Sequence, residues 1–230
     1  MASVSVESVA VTPAVVARNS PDTLGVYGQR STQYVIATVT ADGTPIPAPD
    51  DIGLATDDGT VRPDQAVGGM GGELWTYGAP YGDDGVGWLA FVVSKPLETS
   101  AAAITQPGGE HPLPADALAG LTRPPTTFTV DSVTAPAEIA ADEPATLEVT
   151  VTNEGSVPGT WVGALNRSGP SVAYIPETAV RLTVPAGGSR TWTYTNTVED
   201  RFTDQPTGTL EFHLEWRDGS RSTTTEVTDA

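Results

Sequence analysis

The sequence contains no cysteine, two histidines, two methionines and one lysine, Lys95. Without cysteine there is no disulfide framework, thiolate metal site or cysteine nucleophile to consider. No run of about 18 apolar residues occurs, which excludes a membrane-spanning helix. Positive charge is scarce: 11 Lys and Arg face 29 Asp and Glu, for a net charge of −18 over 230 residues. A field of that sign repels phosphate backbones, so nucleic acid is not an expected partner. Helical periodicity is missing as well, apart from a turn or two over Pro114-Ala-Asp-Ala-Leu-Ala-Gly-Leu121.

Strand signals dominate what is present. Val (25 residues) and Thr (33) make up a quarter of the chain, and both suit a pleated, half-buried surface. Alternation with period two recurs from Val4 to Val9, Gln33 to Val39, Gly87 to Val93 and Phe128 to Val133. It returns over Ala145–Thr152, Val180–Val184, Arg190–Thr195 and Thr209–Trp216. In Arg190-Thr-Trp-Thr-Tyr-Thr195 it puts Trp192 and Tyr194 on one face, the expected core face, and the threonines on the other. Turn sequences such as Ala41-Asp-Gly-Thr44, Asp57-Asp-Gly-Thr60 and Arg217-Asp-Gly-Ser220 punctuate the strands. Pro124-Pro125 reads as a short connector, after which the pattern restarts. The expected fold is therefore all-β, two tandem immunoglobulin-like β-sandwich domains over residues 1–123 and 126–230, each near the usual size of about 100 residues.

The acids are dispersed rather than gathered into a tail. A dispersed acidic surface with almost no lysine resembles proteins of extreme halophiles. At molar salt the Debye length falls to about 3 Å, so acid–acid repulsion is screened while hydrated carboxylates maintain solubility. Residues 1–16 lack the basic segment and continuous apolar core of a secretory signal. The strand-like run Ser3-Val-Ser-Val-Glu-Ser-Val-Ala-Val11 fits a domain lying downstream of a removed export segment and N-terminal anchor, and it also fits an intact cytoplasmic protein; the exported reading is the expectation. The expected location is extracellular and anchored at the cell surface, with the membrane reached only through that anchor.

Two resemblances follow from ordered motifs. The second half runs Phe128-Thr-Val-Asp-Ser-Val-Thr-Ala-Pro-Ala-Glu-Ile139, then Asp142-Glu-Pro-Ala-Thr-Leu-Glu-Val-Thr-Val-Thr-Asn-Glu-Gly155, then Ala179-Val-Arg-Leu-Thr-Val-Pro-Ala-Gly-Gly-Ser-Arg-Thr-Trp192. This succession resembles the CARDB-type immunoglobulin-like adhesion modules of archaeal and bacterial surface proteins. The stretch Trp161–Pro176 is longer than the corresponding strand region of that family. In the first half, Tyr34-Val-Ile-Ala-Thr-Val39, a Gly-rich excursion and Val86-Gly-Trp-Leu-Ala-Phe-Val-Val-Ser-Lys-Pro96 resemble the telokin-like immunoglobulin folds of exported lipoproteins. The resemblances imply spacers or binding platforms without a catalytic motif, engaging a protein or glycan partner at the cell surface.

Candidate chemistry is thin. His111 lies in Gly109-Glu-His-Pro-Leu-Pro114, a loop reading. His213 alternates with Phe212 and Leu214 in Glu211-Phe-His-Leu-Glu-Trp216, which places it on a solvated strand face beside Glu211 and Glu215. No nucleophile elbow, His-Glu-x-x-His pair or P-loop occurs, so no catalytic residue, cofactor or metal ligand is assigned and the protein is not expected to be an enzyme. The pairs Asp50-Asp51, Asp57-Asp58 and Asp83-Asp84 offer carboxylates to Ca²⁺ but lack the order of a known loop, and solvation is the expected role. Trp75, Tyr77 and Tyr81, in Glu73-Leu-Trp-Thr-Tyr-Gly-Ala-Pro-Tyr-Gly82, form the candidate binding surface, since rigid rings stack on sugars or anchor a protein at small entropic cost. Asn166-Arg-Ser168 is an N-glycosylation sequon. The leading expectation is an adhesion or assembly module, and the alternative is a lipoprotein binding Ca²⁺ or glycan through the loops of the first domain.

Overall fold

The computed structural model describes residues 3–170, 172–197 and 207–229; Met1 and Ala2, which precede the strand expected to follow an export segment, lie outside them. The chain is all-β, with a single eight-residue helix among the described residues. It divides into two compact units, Met1–Arg18 with Tyr27–Pro125, and Asn19–Val26 with Thr126–Ala230.

In the first unit β1 (Ser3–Thr12), β4 (Thr32–Asp42) and β7 (Val86–Ser94) form one antiparallel sheet in the order β1-β4-β7. Between β1 and β4 comes the hairpin of β2 (Val15–Ser20) and β3 (Thr23–Tyr27). A second sheet has the order β6-β5-β8-β9, from β5 (Gly53–Thr56), β6 (Gly59–Val61), β8 (Ala102–Gln106) and β9 (Gly109–Pro112). The core between these sheets takes Val35, Ala37 and Val39 from β4, Leu89, Phe91 and Val93 from β7, and Leu54 and Ile104 from the second sheet. Helix α1 (Ala115–Thr122) adds Ala117 and Leu121, and it is the helical turn expected from the sequence.

The opposite face of β4 and β7 is buried too. Tyr34, Ile36, Trp88 and Ala90 form a second cluster with Val15, Ala17, Val67 and Leu74. The excursion over residues 62–85 and the base of the β2–β3 hairpin supply that cover. A sheet buried on both faces explains why Tyr34–Val39 and Trp88–Val93 are almost continuously apolar.

The second unit repeats the strand order. β10 (Phe128–Thr134), β12 (Pro144–Asn153) and β15 (Ser189–Thr197) form one sheet, β10-β12-β15. β11 (Glu138–Ala140), β13 (Gly159–Gly169), β14 (Val172–Val184), β16 (Gly208–Trp216) and β17 (Gly219–Thr228) form the other, β11-β17-β16-β13-β14, with β11 parallel to β17. In both units the first, second and fifth main strands share a sheet, and the fourth, third, sixth and seventh follow one another in the other. The core of the second unit gathers Leu147, Val149, Val151, Trp161, Leu165, Phe212 and Leu214. Asn153, ending the Val-x-Val-x-Asn run, is fully buried; its Nδ2 donates to the carbonyls of Val157 (2.9 Å) and Val184 (3.1 Å), and its Oδ1 accepts from Gly155 N–H (2.8 Å). Asn153 therefore closes a turn and ties down the end of β14.

One assignment needs correction. Residues 19–26, read from sequence as part of the first half, belong by their contacts with 126–230. Sequence alternation does not reveal which core a hairpin tip will join, because that choice depends on long-range contacts.

Candidate functional site

The aromatic loop is built on a tight turn. Leu74 N–H donates to Gly78 O (2.9 Å), and the N–H groups of Tyr77 and Gly78 donate back to Leu74 O. Gly78 has a φ of 75°, a conformation that favours glycine. Trp88 Nε1 donates to the Gly78 carbonyl at 2.9 Å, and Trp75 N–H donates to Val16 O at 2.8 Å, so strands β7 and β2 hold the turn from two sides. Gly87 permits the approach, since a Cβ there would lie 2.6 Å from the backbone of Pro80 and Tyr81.

This frame separates the three candidate aromatics. Trp75 is half-buried, and the Arg18 guanidinium lies 5.2 Å from its ring centroid, within cation–π range. Arg18, Glu73, Leu74, Trp75 and Gly78 line an open depression of about 230 Å³. Tyr77 packs on the second hydrophobic cluster of the unit. Tyr81 is a core residue, 1% exposed, with its hydroxyl donating to Pro47 O at 2.9 Å. Burial pushes its phenol pKa up, with the Asp51 and Asp84 carboxylates acting in the same direction. Tyr81 therefore contributes no binding surface: the chain between Gly78 and Gly87 turns inward and delivers the ring to the core. Arg18, 57 positions before Trp75, does not stand out in sequence as a site residue, because only the pairing of Ala17 with Leu74 brings the two together.

One member of each acidic pair accepts a backbone hydrogen bond, within a local turn for Asp51 and Asp84 and across 43 positions for Asp57. Asp51 Oδ2 accepts from Ala48 N–H (2.9 Å), Asp57 Oδ2 from Ser100 N–H (2.6 Å) and Asp84 Oδ1 from Val86 N–H (3.2 Å). Among the described residues no three His, Asp or Glu side chains are grouped to hold a metal ion. His111 lies on the sheet-edge strand β9, opposite Ile104.

His213 has more company than its strand pattern suggests. It lies on β16 opposite Asn166 of β13, and Ser168 lies opposite Glu211. His213 Nε2 is 2.9 Å from Ser168 Oγ, and Nδ1 is 3.6 Å from Glu211 Oε1. The Tyr174 ring from β14 stacks on the imidazole, with centroids 4.7 Å apart. Burial raises the Tyr174 pKa, and the Glu215 and Glu211 carboxylates raise it further. Asn166, the sequon residue, is fully buried with its amide engaged by Leu24, which leaves no room for a glycan in the folded protein.

No family profile matches the chain, and no curated protein does. Among solved structures, a β-glucosidase from Listeria innocua bound to isofagomine is 17% identical over 44% of this chain and 16% of its own, with a TM-score of 0.37. A β-glucosidase from Erythrobacter marinus is 17% identical over 45% and 16%, with a TM-score of 0.39. A DNA-bound alkylpurine DNA glycosylase from Pseudomonas fluorescens is 15% identical over 45% and 30%, with a TM-score of 0.38. The chain thus spans about a sixth of each β-glucosidase. Likenesses this faint carry no argument about what the chain does.

Proposed function

We propose that the chain is a tandem immunoglobulin-like surface module of an extreme halophile, exported, anchored to the envelope and acting in adhesion or assembly rather than turnover. The observation that carries this reading is the strand order common to both units. Immunoglobulin-type sandwiches place strands A, B and E in one sheet and C, F and G, extended by C′, in the other. β1-β4-β7 with β6-β5-β8-β9 follows that order, as does β10-β12-β15 with β14-β13-β16-β17. The Asn153 turn supports the likeness of the second unit to CARDB-type modules, and the covered β4–β7 sheet accommodates the telokin-like comparison of the first. The −18 charge with one lysine supports a high-salt setting.

The test is attachment. Labelled protein added to intact haloarchaeal cells in molar NaCl should bind saturably and be displaced by unlabelled chain. Failure to bind cells or isolated envelopes at any salt concentration would overturn the adhesive role. Melting the protein in molar and in about 0.1 M NaCl tests the setting, because the Debye length grows from about 3 to about 10 Å and acid repulsion grows with it. An equal or higher melting temperature at low salt would remove the halophile argument.

A second reading, glycan binding, is favoured by the Arg18–Trp75 depression. An indole edge, a guanidinium and the Glu73 carboxylate are groups that hold sugar rings and hydroxyls. On a glycan array in molar salt, selective retention that is lost in Trp75→Ala separates a binder from a spacer.

A further inference from the structure

We propose that Ser168 is a base-activated nucleophile, O-acylated by activated acyl donors such as thioesters and aryl esters. Because Ser168 pairs with Glu211 and Asn166 with His213, the outward side chains of β13 and β16 bring a hydroxyl, an imidazole and a carboxylate together on one sheet face. The hydroxyl and Nε2 are within hydrogen-bond reach at 2.9 Å, the first requirement for an activated serine. The Glu211 carboxylate, 3.6 Å from Nδ1, favours the tautomer with its proton on Nδ1, which leaves Nε2 free to accept from Ser168. Tyr174, stacked on the ring, fixes its plane.

Surroundings sharpen the geometry. Asn166, next to Ser168 on the same outward face, holds the 19–26 hairpin tip against this sheet through Leu24. The His213 side chain is only 22% exposed, and that of Glu211 36%. Partial exclusion of water strengthens the interaction between the imidazolium that forms and the carboxylate beside it. This arrangement has the roles of a Ser–His–carboxylate triad, which is recognised by geometry and not by sequence position. It appears in no local motif, because Ser168 and His213 are 45 residues apart.

The step balances without a further reactant. Ser168 Oγ attacks the acyl carbon as its proton passes to His213 Nε2. The tetrahedral adduct collapses, the bond to the thiolate or phenolate breaks, and that leaving group takes the proton from the imidazolium. The products are acyl-Ser168 and a free thiol or phenol. The proposal is confined to activated donors, whose leaving groups depart readily. It is independent of the adhesive reading, since a surface module can carry one reactive side chain.

The experiment uses the full chain in molar NaCl with p-nitrophenyl acetate, following p-nitrophenolate release, intact mass and peptide mapping. One acetyl group on Ser168 is expected. Ser168→Ala should abolish it, and His213→Gln should slow it by about 100-fold, the scale of general-base assistance. Ser222, opposite His213 on β17, is the control: Ser222→Ala should leave the rate unchanged. The acylation rate should rise with pH, as expected when a base must be free to take the serine proton. Melting curves matching the parent show that each variant is folded. Acetylation confined to Lys95 and the N-terminus, or acetylation of Ser168 indifferent to His213→Gln in a folded variant, would overturn the proposal.

Discussion

The side-chain amide of Asn166 bonds both backbone groups of Leu24: Oδ1 accepts from Leu24 N–H at 2.7 Å and Nδ2 donates to Leu24 O at 3.0 Å. The two residues are 142 positions apart, and both are fully buried. The amide thus substitutes for a strand partner and satisfies backbone groups that would otherwise be desolvated without compensation. Asn166→Asp removes the donor and sets a carboxylate against a carbonyl. It should destabilise the second unit by about 1–3 kcal/mol, the cost of an unsatisfied buried group. Hydrogen exchange at Leu24 N–H, read together with a denaturation curve in molar salt, checks this: protection should fall in the variant.

The second unit also contains a buried ionic network. Arg167 Nε and Glu177 Oε1 are 2.5 Å apart with side chains 9% and 10% exposed, and Tyr194 donates its hydroxyl to Glu177 Oε2. Desolvation raises the Tyr194 pKa, and the bond to Glu177 raises it further. Removing one partner leaves a buried charge uncompensated, so Arg167→Met should cost about 3–5 kcal/mol. The double variant Arg167→Met/Glu177→Leu should recover most of that loss, because a well-packed apolar pair often matches a buried ion pair. Chemical denaturation of the two variants decides the matter; a double variant no better than the single would mean that the network is net stabilising.

Trp192 and Tyr194 stack with ring centroids 5.8 Å apart and pack on the core, while Thr191, Thr193 and Thr195 are exposed. Across the sheet, Thr150 and Thr191 hydrogen-bond at 2.9 Å on the outer face. Trp192 is half-buried, so its loss falls short of the 3–5 kcal/mol of a fully buried aromatic. Trp192→Ala should destabilise the unit by about 2 kcal/mol, and Thr193→Ala by a few tenths, as is usual for surface changes. Equal effects in paired denaturation curves would mean that the strand faces the other way.

Strands were legible wherever one face is wet and the other dry. β12 and β15 read correctly because Thr and Glu alternate with Val, Leu and aromatics. The all-β class followed from the same signal. Alternation could not show that the outer face of β4 and β7 is covered, because the cover comes from an irregular, Gly-rich excursion whose path depends on Leu74 pairing with Ala17. For the same reason Trp75, Tyr77 and Tyr81 looked equivalent in sequence, yet only Trp75 lines the depression. Alternation puts His213 on the face of β16 opposite Phe212 and Leu214, where the structure has it. In sequence Ser168 stands out only as the last residue of a sequon, since cross-strand register between β13 and β16 is a property of the sheet and not of either strand.

Asp57 gives the clearest pH-dependent signature. Its carboxylate accepts from Ser100 N–H at 2.6 Å, and its own N–H donates to Thr99 Oγ1 at 3.2 Å. The bond from the Ser100 backbone, followed by that from the Ser100 side chain, holds the Asp57 pKa below the ordinary aspartate value. A depressed folded-state pKa means that the folded chain holds this proton less tightly than the unfolded chain does. Its stabilising contribution is therefore complete above the ordinary aspartate pKa and is lost as pH falls through the lower, folded-state value. Carboxyl-carbon NMR in molar salt should place the Asp57 midpoint below the ordinary aspartate value. Asp57→Asn should remove that part of the acid sensitivity while keeping an acceptor for Ser100 N–H. A midpoint at or above the ordinary aspartate value would mean that the Asp57–Ser100 contact does not persist in solution.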